Sequence, residues 1–188
     1  MNLAEALVAL GVIAALAGIG AGPVREGLAR ARLDAAGTEI ARRMIAARWR
    51  AVGEGRSIGL RFEVREGEWH LVTYGDGDGD GIRSDDIRSG RDAPLLPAAA
   101  PGDGRPGIRL GIPPGSYPRI PPSRGRIAGG EDPIRFGRSD IASFSPLGNA
   151  TPGTVYLTDG RRLAAVVLFG ATARVRLLRY DASAGEWR

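Results

Sequence analysis

Three aspartates at alternate positions, Asp76, Asp78 and Asp80, are followed at once by Gly81. Carboxylates at positions one, three and five with a glycine at six are how a twelve-residue calcium loop begins, because a hard cation takes oxygen ligands and the glycine allows the sharp turn. The second half of the stretch departs from that pattern. Ile87 stands where a bidentate glutamate belongs, and Asp85 and Asp86 come one or two residues early. Two readings stand side by side. In one, a calcium ion is held by Asp76, Asp78, Asp80, a backbone carbonyl and Asp85 or Asp86. In the other, residues 75–92 form a solvated turn in which Arg83, Arg88 and Arg91 offset the six Asp charges.

A second carboxylate stands out by its surroundings. Glu5 precedes residues 6–24, which carry no charge over 19 positions. That length is about what a helix needs to cross the hydrocarbon of a bilayer. A carboxylate at the start of such a run costs on the order of 2.5–3.5 kcal/mol, so it calls for a partner. The simpler alternative is a helix-start glutamate held by the helix dipole.

Basic chemistry is carried by arginine alone. All 26 basic residues are Arg, and the net charge is +5. Arg161, Arg162, Arg174, Arg176, Arg179 and Arg188 gather toward the C-terminus. Such a cluster suits phosphate contacts, while exclusive use of Arg beside so much Ala and Gly also reads as compositional bias. The chain has no cysteine, which excludes disulfides, thiolate metal sites and a thiol nucleophile. Its one histidine, His70, falls in a strand pattern without a nucleophile motif near it. No phosphate-cradling glycine loop, metalloprotease pair or pair of catalytic carboxylates is present, so the chain reads as a non-enzyme.

The elements that position these residues follow from periodicity. Residues 1–24 predict a membrane-spanning helix. Residues 25–53 predict its amphipathic continuation, with Leu28, Ala31, Ala35, Ile40, Met44, Ala47 and Ala51 on one face and Arg or Glu on the other. The whole helix would be ~80 Å long at 1.5 Å per residue. Gly18, Gly20, Gly22 and Pro23 are expected to bend or interrupt it. From residue 54 the period changes to two. Ile58, Leu60, Phe62 and Val64, a Glu66-Gly67 turn, then Trp69, Leu71 and Thr73 predict a β-hairpin. Residues 93–133 are Pro/Gly-rich loops around a short strand at 108–112. Strands are expected at 134–136, 141–144, 153–157, 163–169 and 173–178, joined by hairpin turns. The fold class is therefore α+β, with a long N-terminal helix packed on an antiparallel β-sheet or β-sandwich domain, residues 54–188.

These features together resemble the type IV pilin superfamily. A hydrophobic start, Glu5, the apolar helix Ala6–Ala17 and Pro23 match its N-terminal pattern. Residues 141–157 (IASFSPLGNATPGTVYL), then a hairpin and Gly170-Ala-Thr-Ala-Arg-Val-Arg176, are similar to the GspH/FimT group of minor pseudopilins, as is the acidic Asp76–Gly81 loop. The resemblance implies a structural subunit of the pseudopilus of a type II secretion system, made as a single-pass protein of the bacterial inner membrane with its domain in the periplasm. It implies that Glu5 meets the free amine of residue 1, here Met1, on a neighbouring subunit. It also implies other pseudopilins or pilins as partners through the N-terminal helix, and secreted proteins as further partners. A prepilin peptidase joins these if a leader exists upstream, since none precedes Met1. The alternative within the resemblance is a FimT-like minor pilin for pilus assembly or DNA uptake, in which Arg174, Arg176 and Arg179 contact DNA.

Overall fold

The computed structural model describes residues 2–188, and the side chains of all of these except 6, 8, 9, 11–21, 23 and 103. The elements in order are helix α1 (Leu3–Glu54), strands β1 (Ile58–Arg65) and β2 (Glu68–Gly75), a short helix α2 (Ser84–Ser89), and strands β3 (Ala93–Pro94), β4 (Arg109–Leu110), β5 (Ser116–Pro118), β6 (Arg126–Ala128), β7 (Ile134–Arg135), β8 (Ile141–Phe144), β9 (Gly153–Thr158), β10 (Leu163–Phe169), β11 (Arg174–Asp181) and β12 (Glu186–Trp187). The chain divides into two compact units, Met1–Arg32 and Leu33–Arg188.

The first unit is helical. Asn2 precedes the first helical residue, and its N–H donates to the Glu5 carboxylate at 3.0 Å. That is the reciprocal half of a capping box, which satisfies one of the N–H groups that a helix start leaves orphaned. Leu3, Leu7, Leu10 and Val24 are all more than three-fifths exposed. The membrane-spanning half expected at residues 1–24 is corrected here. Among the described residues no helix is long and apolar enough to cross a membrane. Composition supplies a physical reason: ten of the nineteen residues from 6 to 24 are Ala or Gly, and these offer hydrocarbon little side-chain area. The expected interruption at Gly18–Pro23 is also absent, since α1 runs through these positions as one helix.

In the second unit the stretch of α1 from Leu33 onward buries a stripe of Leu33, Ala36, Ile40, Met44, Ala47 and Ala51. The spacings are three and four, which keep the stripe on one face of a 3.6-residue helix. From Ile40 on the stripe is the one the sequence pattern marks; upstream, Leu33 and Ala36 take the places assigned to Ala31 and Ala35. Gly37 lets α1 come close to β11: a Cβ there would lie 2.5 Å from a methyl of Leu177.

Strand order is β3-β2-β1-β8 in one sheet and β12-β11-β10-β9-β4 in the other, with β7 also pairing β9. The pairings are antiparallel, and β5 and β6 form a separate two-stranded ribbon. Ile58, Leu60 and Phe62 of β1 and Leu71 of β2 turn inward with Ala142 and Phe144 of β8. Val155, Leu157, Ala164, Val166 and Leu168 of the larger sheet join the same core as the helix stripe. The opposite face of that sheet is covered as well. Tyr156, Leu163, Ala165 and Val167 bury against Ile112, Ile120 and Ile127 from the segment between β4 and β7. This is why residues 163–169 read as continuously apolar: β10 has a core on each face. The proline- and glycine-rich segment 93–133 is thus a set of short strands and a cover rather than a free loop. Residues 75–92 also contain an element that the sequence pattern did not mark, α2, closed by Gly90 in the left-handed region at φ 83°.

Candidate functional site

The acidic stretch follows directly from β2 and is anchored by two aspartates with different tasks. Asp76 is buried, and one of its carboxylate oxygens accepts the N–H of Asp78 at 3.2 Å and of Gly79 at 2.7 Å. Its other oxygen accepts the N–H of Gly81 at 2.9 Å. Burial pushes the Asp76 carboxyl up, but the N–H groups of Gly79, Gly81 and Asp78 and the Ser57 hydroxyl outweigh it, so the group lies below its usual range. Asp92 is fully buried; its two oxygens accept the N–H of Gly77 at 3.2 Å and of Arg83 at 3.0 Å. Asp92 thereby ties the end of the loop to its beginning. The sequence pattern counted it only as one charge among six. Its signal lay in the lone carboxylate immediately after Gly90 and Arg91, where a closing residue must sit.

Of the aspartates singled out for a cation, Asp76, Asp78 and Asp80 come together, with ligand atoms within 4.8 Å of one another. Asp85 and Asp86 do not join that cluster among the described residues. Both sit on α2. Asp85 is exposed and pairs with Arg88 at 3.0 Å, whereas Asp86 is buried and pairs with Arg91 at 2.7 Å. Arg83 pairs with Asp80, and Arg91 also approaches Asp78 at 3.8 Å. The Asp80 carboxyl is raised by desolvation, against the pull of Arg83 and with the help of Asp78 and Asp86. Chemically, three convergent carboxylates suit an oxygen-coordinated divalent cation. Three N–H groups and a hydroxyl already occupy most of the acceptor capacity of Asp76, so that capacity rests on Asp78 and Asp80.

Glu5 is exposed at the start of α1 and accepts from Asn2; its other oxygen meets no donor among the described residues. Met1, expected to supply the pairing amine, lies outside the described residues. The three arginines assigned to DNA separate into two groups. Arg179 is engaged, pairing with Asp34 of α1 at 2.5 Å. Arg174 and Arg176 are exposed on β11 opposite Phe169 and Val167 of β10, and neither has a carboxylate partner among the described residues. His70 sits on β2 opposite Glu63 of β1 and is partly buried.

A cleft of about 420 Å³ opens in the second unit between the segment 119–123 and the strands β9 and β10. Nothing in the sequence pattern pointed to it, because its walls come from separate stretches of chain between residues 119 and 170. No protein-family model matches the chain, and no curated protein or solved structure matches it.

Proposed function

We propose that this chain is a structural subunit of a pilin-like fibre, a minor pseudopilin of a type II secretion system, which assembles by side-by-side packing of the first unit of α1 with like helices. The observation that carries the reading is the exposed apolar series on that unit. Leu3, Leu7 and Leu10 are separated by four and three residues, so they share one face. Burying such a face against a sibling helix stabilises by roughly 25 cal/mol per Å² of apolar area. Glu5 supports the reading as well. One carboxylate oxygen faces its own Asn2 N–H, which leaves the other for a cationic group of a neighbour. An opposite charge is what makes a carboxylate tolerable once packing removes water from around it. In this reading Glu5 sets the axial register between subunits, and the second unit carries the contacts with other subunits and exported protein.

The test is incorporation. Glu5→Ala is expected to lower the amount of the chain recovered in sheared pseudopilus fractions, while the level in whole cells stays unchanged. Recovery at the wild-type level would overturn the role given to Glu5.

A further inference from the structure

The cleft beside β9 and β10 has the chemistry of a carboxylate site with an apolar floor. Ile120, Ile127, Tyr156, Val167 and Phe169 line it, and Arg119 and Arg135 stand in its wall. None of the described residues lining it is acidic. Register places two further cations on the same face. Arg135 pairs with Thr154, Thr154 with Val167, and Val167 with Arg176, so the four form one row across β7, β9, β10 and β11. Directly paired residues of antiparallel strands point to the same face, and Arg174 lies in the next row beside Phe169.

Two polar groups here lack partners. Arg135 Nε is buried and has no acceptor among the described residues, although the same guanidinium reaches Glu131 through Nη2 at 2.6 Å. Tyr156 is only 4 % exposed, and its hydroxyl has no hydrogen-bond partner among the described residues. Burial pushes the Tyr156 phenol up; the charges of Arg135 and Arg119 act on it in the opposite sense and Glu131 reinforces the burial. The hydroxyl is therefore a neutral donor placed within the field of two guanidiniums. For the buried Arg135 Nε, a donor without an acceptor costs about 1–3 kcal/mol, which a ligand oxygen would relieve.

We propose that this cleft binds an acidic peptide segment, seating one carboxylate among Arg119, Arg135 and the Tyr156 hydroxyl and an adjacent apolar side chain on Val167 and Phe169. Arg174 and Arg176 take the next carboxylates along the segment. The guanidinium fork matches a carboxylate in two-point geometry. The apolar floor, which a polyphosphate backbone would leave unfilled, favours a peptide with an apolar side chain. The site lies wholly in the second unit and stands independently of assembly through α1.

Fluorescence anisotropy with the full-length chain tests this. The probe is a fluorescein-labelled hexapeptide of alternating glutamate and phenylalanine. Its counterpart has lysine in place of glutamate, and a single-stranded DNA 12-mer serves as competitor. The acidic probe is expected to bind, more weakly as salt rises, and the lysine counterpart to bind at least about tenfold more weakly. Arg119→Glu is expected to lower affinity at least about tenfold. Tyr156→Phe keeps the ring and removes only the donor, and is expected to cost about three- to tenfold. The exposed pair Arg174→Glu and Arg176→Glu, whose side chains take no part in the core, is expected to weaken binding also. Arg161→Glu, in the hairpin turn at the other end of β9, is expected to leave it unchanged. Equal binding of the lysine peptide, full displacement of the acidic probe by DNA at equal concentration, or wild-type affinity in the Arg174/Arg176 double variant would each overturn the proposal.

Discussion

Asp92 closes the acidic loop, because its carboxylate is fully buried and satisfies the backbone N–H groups of Gly77 and Arg83. Asp92→Ala strips both of their acceptor, and a buried donor left without a partner costs about 1–3 kcal/mol. The expected outcome is a fall of that size in urea-unfolding stability, with Asp85→Ala, an exposed carboxylate, within about 0.5 kcal/mol of the parent. Asp76 gives a prediction in pH. Its folded pKa lies below its unfolded value, as does that of Asp159, where burial is outweighed by the N–H groups of Arg162 and Arg161 and by the Arg162 guanidinium. The stability they contribute is therefore complete above the unfolded carboxylate range and is lost as pH falls through their folded values. Denaturation midpoints are expected to decline below about pH 4, and less steeply in the Asp159→Asn variant. Asp140, whose carboxyl burial pushes up, acts in the opposite sense and at higher pH, its contribution being lost as pH rises from the unfolded carboxylate range through its raised folded value.

The second part of α1 is held by its buried stripe far more than by its ion pairs. Ile40 and Met44 are completely buried in the core to which both large sheets contribute. Ile40→Ala is expected to cost about 2–5 kcal/mol through lost transfer energy and a residual cavity. The Arg179–Asp34 pair joins β11 to the helix, but the Arg179 side chain is more than half exposed, so Arg179→Ala is expected to cost less than about 1 kcal/mol. Urea unfolding followed by circular dichroism checks both. Most of this element level was legible in the sequence. The 3.6-residue stripe from Ile40 to Ala51, the hairpin of β1 and β2, and strands β8 to β11 were marked by periods that depend only on which face is buried. What was not legible depends on long-range contact. Helix α2 is a six-residue turn whose Asp86 is buried by pairing with Arg91, and no apolar period signals it. The separation of Asp85 and Asp86 from the other three carboxylates follows from that turn. The cleft was hidden for a similar reason, since Arg119 and Arg135 meet Tyr156 only after β7 and β9 pair. Residues 6–24 have the uncharged length of a membrane span without its apolar area, because ten of the nineteen are Ala or Gly.

At the scale of the whole molecule the chain is an α+β protein whose one long helix serves two units differently. Residues 33–54 give their apolar face to the core of the second unit, while Leu3, Leu7 and Leu10 in the first unit keep theirs exposed. Exposed apolar residues at helical spacing are a liability unless another chain covers them. The proposed assembly through this face is directly measurable, because the chain has no cysteine and any introduced thiol is unique in it. Leu7→Cys and Leu10→Cys variants would be produced in cells that build the secretion fibre, oxidised, and resolved on non-reducing gels beside Glu186→Cys, an exposed position on β12. With such assembly, cross-linked species are expected for the two helix positions, lost when Glu5→Ala is added, and monomer for Glu186→Cys. Monomer at Leu7 and Leu10, or cross-linking as strong at Glu186 as at the helix, would contradict it.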